Sequence, residues 1–365
     1  MSVSHGTSEI VEGSVSPESR WHHIVPRFLI RRFSTEPKRR DSLVHWYDVT
    51  TGDYGSSTAR DSAVLRDYNA LTDVDADPLV IEKRLARIEG AAAEVLVRMK
   101  KGMPFNSLEQ LALARLISAQ YGRSPRSREY QAYLRKTLAG KNLELNVPKA
   151  VDGRSAEEVR WWKESGLEDL RKGDEAAVAN SGPRAAEVVG QFLVDDALPA
   201  MLVRQMKWVA LDADGSDFVL ADHPVHILDP AAPLGGVGAA WFSSPAVQVT
   251  MPIDPACSLL LSQMDSRFAD ATLPAAGVLM DVNLRQYASA VRLVFSRSRG
   301  ALEQVVAAAQ AYPEVVESYR PRPLRVTLVP SSKNPGTYTA IIDGEPMLVT
   351  MERPLRNQLP TPIEQ

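Results

Sequence analysis

A single cysteine, Cys257, in 365 residues leaves no pair to oxidise and too few thiolates for a zinc ribbon. A disulfide-stapled secreted scaffold and a thiolate metal site are both excluded. No apolar run approaches the length of a membrane-crossing helix, and Met1 to Gly13 is polar and acidic where an export signal carries a basic end ahead of an apolar stretch. Neither sign of charge dominates. A formal net charge of −3 and a pI near 6.1 provide no bulk field for holding nucleic acid, so such a partner needs a local basic patch. The glycine-lysine phosphate loop, the Gly-x-Ser-x-Gly elbow and the His-Glu-x-x-His pair are also missing. The expectation is a cytoplasmic chain with no membrane partner and no ready-made catalytic signature.

What is present is an ordinary globular composition, 44% hydrophobic and 24% charged, enough to bury a sizeable core. Residues 1–18 lack any apolar period and read as a disordered tail. The body is expected over 19–300 as a single α+β unit, with a C-terminal helix and β-meander over 301–352 and a Pro-rich tail over 353–365. Pro26 opens a short helix with Phe28, Leu29, Ile30 and Phe33 facing inward. Leu43 to Val49 and Tyr54 to Val64 read as a hairpin turning at Thr50-Thr51-Gly52-Asp53. A helix opened by Pro78 runs to Gly102, and a second begins with Ser107 as its cap. A longer helix is expected over Ala185 to Gln205, after a charged stretch containing Trp161-Trp162. Trp208 to Leu211, Phe218 to Leu220, Val247 to Met251 and Ser258 to Leu261 read as strands, and Asn283 to Arg297 as a helix. Leu324 to Val329, Tyr338 to Ile342 and Met347 to Met351 form the meander, with Asp343-Gly344 as a hairpin turn. The fold class expected is α+β: a helix-rich body packed on a small mixed or antiparallel sheet.

The run Trp21-His22-His23-Ile24-Val25-Pro26 carries the most chemistry, because two adjacent histidines before a helix-starting proline use a third of the chain's six. An imidazole carries protons or binds metal near neutral pH. Asp222-His223 sets a carboxylate and an imidazole at the end of a strand, where a sheet presents residues to a cleft. Glu82 and Glu89, seven residues apart on one helix, project from nearly the same face. Arg115 and Arg123 on the next helix are placed to meet those carboxylates or a substrate anion. Two basic stretches, Arg27, Arg31, Arg32, Lys38, Arg39 and Arg40, then Arg123, Arg126 and Arg128, read either as solvated helix faces or as the local basic patch that a nucleic-acid partner would need. Cys257 precedes an apolar strand and is expected to be buried and inert.

The paired histidines resemble the opening of HNH nucleases, in which one histidine binds a divalent metal and the next activates water. The pattern departs from that family afterwards, since the nearest asparagine, Asn69, lies far downstream. A longer resemblance runs from about Trp21 to Arg297. His22-His23-Ile24-Val25-Pro26 with Phe28-Leu29 and Phe33, Trp46-Tyr47-Asp48, the helix with Glu82 and Glu89, Gln120-Tyr121-Gly122-Arg123-Ser124-Pro125, and Phe218 to Val225 together resemble the bacterial family called domain of unknown function 4238. That resemblance implies no established activity. It transfers positions only: His23, Glu89, Arg123 and Asp222 are expected to converge as the catalytic set, with His22 and His223 as candidate metal ligands and a divalent metal as candidate cofactor. Two readings stand. One is a metal-assisted, nuclease-like hydrolase acting on a phosphodiester or other anionic substrate, a small molecule or nucleic acid. The other is a non-enzymatic binding or defence-associated module whose charged residues form a structural polar network.

Overall fold

A computed structural model describes residues 21–66, 68–69, 80–98, 105–125, 127, 198–229, 246–263 and 275–320, together with three further strands between 326 and 352. Trp21–His23 forms β1, which pairs antiparallel with β4 (Val64–Arg66), placing His22 opposite Leu65 and His23 opposite Val64. Pro26 then caps α1 (Arg27–Arg32). Proline suits this place because it lacks the N–H that a helix start leaves unsatisfied. Leu29, Ile30 and Phe33 are fully buried, which leaves Arg27 and Arg31, four residues apart, on a shared outer face. Arg32 anchors the helix sideways: its Nε donates to Ile253 O at 2.9 Å and its Nη2 to Asp254 Oδ2 at 2.7 Å.

The expected hairpin forms from β2 (Leu43–Asp48) and β3 (Tyr54–Thr58). Asp48 Oδ1 accepts from the Thr50 N–H and hydroxyl at 2.9 and 2.6 Å, and Gly52 supplies the positive φ of +81° that closes the turn. Burial opposes ionisation of Asp48, but the Thr50 hydroxyl, the Arg292 guanidinium and the loop N–H groups outweigh it and hold the carboxyl at about 2.

α2 (Val80–Arg98) and α3 (Ser107–Arg123) pack on each other. The cap of α3 is Asn106 rather than the expected Ser107. Asn106 Oδ1 accepts from the Leu108 and Glu109 N–H groups, and Glu109 Oε2 accepts from the Asn106 N–H, each at 3.0 Å. This reciprocal box satisfies more orphan donors than a lone serine, which becomes the first helical residue instead.

After α4 (Leu198–Gln205) the chain turns to strands. β5 (Met206–Asp212), β9 (Cys257–Gln263), β8 (Gln248–Asp254) and β7 (His226–Leu228) lie in that order in an antiparallel sheet. A second antiparallel sheet has the order β3-β2-β10-β6, with β6 at Leu220–Ala221 and β10 at Leu293–Ser296. β10 departs from the sequence reading, which carried one helix through Phe295. The helix α5 is Ala275–Ser289; the chain then enters the sheet, where Val294 and Phe295 are buried between β2 and β6. An apolar run of that length fits both periods, and tertiary placement decides between them.

β6 is too short to satisfy its own flanks, and α5 supplies the missing partners. Asn283 Oδ1 accepts from the Val219 N–H at 2.9 Å and its Nδ2 donates to Asp217 O at 2.9 Å. Gln286 Oε1 accepts from the Ala221 N–H at 3.0 Å and its Nε2 donates to Pro224 O at 2.9 Å. Two amides at i and i+3 thus imitate a neighbouring strand, meeting the requirement that buried backbone groups be paired.

The principal core gathers Leu29, Ile30 and Phe33 of the α1 region with Leu113, Leu116 and Ile117 of α3, Leu202 of α4 and Val249, Met251 and Leu261 of the sheet. α6 (Arg299–Ala311) and α7 (Pro313–Tyr319) follow β10, and β11 (Val326–Pro330), β12 (Thr337–Ile342) and β13 (Glu345–Glu352) form the expected antiparallel meander. The class is α+β, as expected, with several antiparallel sheets that include the C-terminal meander. The tails at 1–18 and 353–365, Pro78, Gly102, Arg126, Arg128, Trp161-Trp162, the stretch 185–197 and the Asp343-Gly344 turn lie outside the described residues.

Asp222 braces this arrangement. Its carboxylate accepts from the backbone N–H groups of Val291, Arg292 and Leu293 at 2.8, 2.8 and 2.9 Å, fixing the turn from α5 into β10. Asp222→Ala is expected to lower the unfolding free energy by about 3 kcal/mol, the cost of orphaning buried donors that now reach a charged acceptor. Urea unfolding at an unchanged m-value reads this loss.

Candidate functional site

His23 points from β1 toward the turn after β3. Its Nε2 lies 3.1 Å from Arg60 O and 3.3 Å from Ala59 O. Carbonyls only accept, so Nε2 carries the proton and Nδ1 of the neutral ring bears a lone pair. Nδ1 has no hydrogen-bond partner among the described residues. Burial lowers the pKa from the ordinary 6.5, the two carbonyls offset part of that shift, and the positive charges of Arg123 and Arg27 lower it further. The outcome is an imidazole that is neutral at neutral pH, in one tautomer.

Arg123, at the end of α3, is 5% exposed. Its Nη1 donates to Glu89 Oε1 of α2 at 2.7 Å, and with the Gln120 amide oxygen turned toward it, Nε donates there at 2.6 Å and Nη2 donates as well. The Arg123 carbonyl accepts from the Tyr68 hydroxyl at 2.7 Å. Two turns earlier on α2, Glu82 accepts from the Asn69 amide, while the Asn69 backbone N–H donates to His22 Nδ1 at 2.7 Å. Glu82 Oε1 also lies 3.9 Å from that nitrogen. A nitrogen already accepting a proton is not the positive end of an ion pair, so the hydrogen bond to Asn69 is the interaction that counts.

In front of this network the outer face of α1 and the segment after it enclose a cleft. Arg27, Phe28, Arg31, Lys38, Arg40 and Glu89 line a space of about 570 Å³. A neighbouring depression of about 430 Å³ shares Arg27 and Arg40 and adds Asp41, Thr58, Arg60 and Asp61. Both are of the size that holds small ligands. His23 adjoins the smaller depression through the Arg60 carbonyl.

Glu89, midway along α2, pairs with Arg123 at the end of α3, and His22 joins Glu82 of the same helix through Asn69, whereas His23 makes its hydrogen bonds to the Ala59 and Arg60 carbonyls. His223 is buried with its ring 6.2 Å from that of Tyr121, two residues before Arg123. Asp222 directs its carboxylate the other way, to residues 291–293. Arg115 is exposed. Among the described residues no group of three or more His, Cys, Asp or Glu side chains is arranged to hold a metal ion. Arg60 was not singled out by the sequence, and Gln120 and Asn69 drew notice only as motif letters. No spacing rule reports a backbone carbonyl or N–H that reaches an imidazole. The basic segment was visible, and the structure divides it. Arg27, Arg31, Lys38 and Arg40 face the cleft, Arg32 holds the sheet, and Arg39 pairs locally with Glu36 at 3.2 Å.

The fold and this arrangement define an α+β protein with a basic cleft backed by a partly buried Arg123–Glu89 pair, a description that fits many activities. A family model described as protein of unknown function (DUF4238) matches residues 21–300, and the chain belongs to that family. No curated protein and no solved structure matches it. No described helix is long and apolar enough to cross a membrane.

The depressed pKa of His23 has a thermodynamic consequence. Between its folded value and the unfolded value near 6.5, the unfolded chain binds more protons, so the stability gained by keeping the ring neutral is complete above 6.5 and is lost as pH falls through the folded value. The melting temperature of the wild type is therefore expected to drop more steeply than that of His23→Gln as pH is lowered below 6.5. Calorimetry on both proteins across that range checks the difference.

Proposed function

We propose that the protein binds a phosphate-bearing anion in the cleft lined by Arg27, Arg31, Lys38 and Arg40 and hydrolyses a phosphoester there, with His23 as general base. The observation that supports this most is that Arg60, whose carbonyl lies 3.1 Å from His23 Nε2, lines the smaller depression together with Arg27 and Arg40, which also line the larger one. The anion seat and the proton acceptor are therefore neighbours. In the proposed step a water oxygen bonds to phosphorus and gives its proton to His23 Nδ1. The ester P–O bond breaks, and the departing oxygen takes a proton from solvent. Guanidinium and ammonium groups around the phosphoryl oxygens stabilise the charge in the transition state. The reading routes no step through a metal, and it suits a cytoplasmic protein.

A binding module without chemistry is the second reading. It draws support from the hydrogen bonds and ion pair that already hold His22, Glu82, Glu89 and Arg123 within the protein. Both readings predict that the double variant Arg27→Ala/Arg40→Ala loses about tenfold or more in pyrophosphate affinity, with the wild-type affinity falling as salt rises. They part at His23. Under hydrolysis, His23→Ala keeps pyrophosphate affinity but lowers turnover of p-nitrophenyl phosphate esters by about a hundredfold or more. Unchanged turnover in that variant removes the base, and unchanged pyrophosphate binding in the arginine variant removes the cleft.

A further inference from the structure

Among the described residues lining the larger cleft, Glu89 is the one carboxylate, in company with Arg27, Arg31, Lys38 and Arg40. In a cleft that only attracted anions it would work against the ligand, since a carboxylate repels phosphate. Its position is nonetheless fixed. Oε1 accepts from Arg123 Nη1 at 2.7 Å, and Arg123 is itself held by the buried Gln120. The Glu89 side chain remains 22% exposed, and Oε2 has no hydrogen-bond partner among the described residues. A carboxylate anchored through one oxygen thus lines the cleft, with its other oxygen left to accept a hydrogen bond.

We infer that the ligand carries a hydroxyl beside its phosphate and that Glu89 Oε2 accepts from it, which makes the ligand a sugar phosphate or a nucleotide. This rests on the anion-binding reading of the cleft and narrows it. An acceptor asks for a donor, and a ligand offers either an ammonium or a hydroxyl. An ammonium would meet four cations at the same wall, whereas a neutral hydroxyl meets no such repulsion and still forms a charge-assisted bond to the carboxylate. Glu89 then selects among phosphates: the cations take any of them, and the carboxylate favours those that bring a hydroxyl.

Calorimetric titration of the whole chain with three probes tests this. Ribose 5-phosphate carries phosphate and hydroxyls, tetrahydrofurfuryl phosphate carries the same charge on a ring without hydroxyls, and pyrophosphate reports anion binding alone. The wild type is expected to bind ribose 5-phosphate about tenfold more tightly than the hydroxyl-free ester, the factor one charge-assisted hydrogen bond supplies. In Glu89→Gln, whose amide oxygen still accepts from Arg123 and whose NH2 group turns a donor to the cleft, that preference should fall to within about twofold in protein shown by circular dichroism to be folded. Equal wild-type affinity for the two esters, with pyrophosphate bound, overturns the hydroxyl assignment and leaves the anion cleft standing. A tenfold preference that persists in Glu89→Gln overturns the role of Glu89. Binding of none of the three overturns the cleft reading and this inference together.

Discussion

A guanidinium sealed from water must find both a counter-charge and acceptors for its N–H groups, and Arg123 imposes that demand on everything around it. Glu89 answers from α2 and Gln120 from one turn back on α3, while the Arg123 carbonyl receives the Tyr68 hydroxyl from the segment after β4. Three parts of the chain are thereby held in register at one point. With α2 placed, Glu82 meets Asn69, and Asn69 offers its N–H to His22. The Arg123–Glu89 ion pair therefore helps to organise the surroundings of His22. Removing Glu89 would leave the Arg123 guanidinium charged and dry, which costs far more than the intact pair contributes.

The basic cleft depends on a second anchor. Arg32 is bound to Ile253 O and Asp254 at the β8–β9 turn, so α1 cannot roll, and Arg27 and Arg31 stay on the side away from the sheet. Like charges on such a face repel only weakly in water, by about 1 kcal/mol for a pair 4 Å apart, so the fold tolerates them without needing them. Under the proposed hydrolysis, their arrangement near a histidine whose pKa is lowered by burial serves the proton transfer. A positive surrounding opposes protonation of the ring, and a ring that stays unprotonated keeps its lone pair for accepting a proton.

Much of this was readable in the residues themselves. The histidine pair ahead of Pro26, the β2–β3 hairpin, the shared face of Glu82 and Glu89 and the C-terminal meander follow from local spacing, which strands and helices enforce directly. β10 was not readable, because Leu293-Val294-Phe295 satisfies a helical and a strand period alike and only its place between β2 and β6 decides. Asp222 looked like a strand-end acid presented to a cleft; its three bonds to residues 291–293 depend on a backbone turn seventy residues away that no pattern near Asp222 announces. The lone pair on His23 Nδ1 was equally hidden. It exists because the Ala59 and Arg60 carbonyls occupy Nε2, and sequence spacing says nothing of carbonyl direction.

The central claim is that His23 is a neutral base with its proton fixed on Nε2, and nitrogen-15 NMR of the imidazole groups reads both properties directly. At neutral pH the account predicts that the His23 Nδ1 resonance has the shift of an unprotonated ring nitrogen and Nε2 that of an N–H, and that Nδ1 moves on adding pyrophosphate. An Nδ1-protonated tautomer, or a doubly protonated ring at that pH, would contradict it.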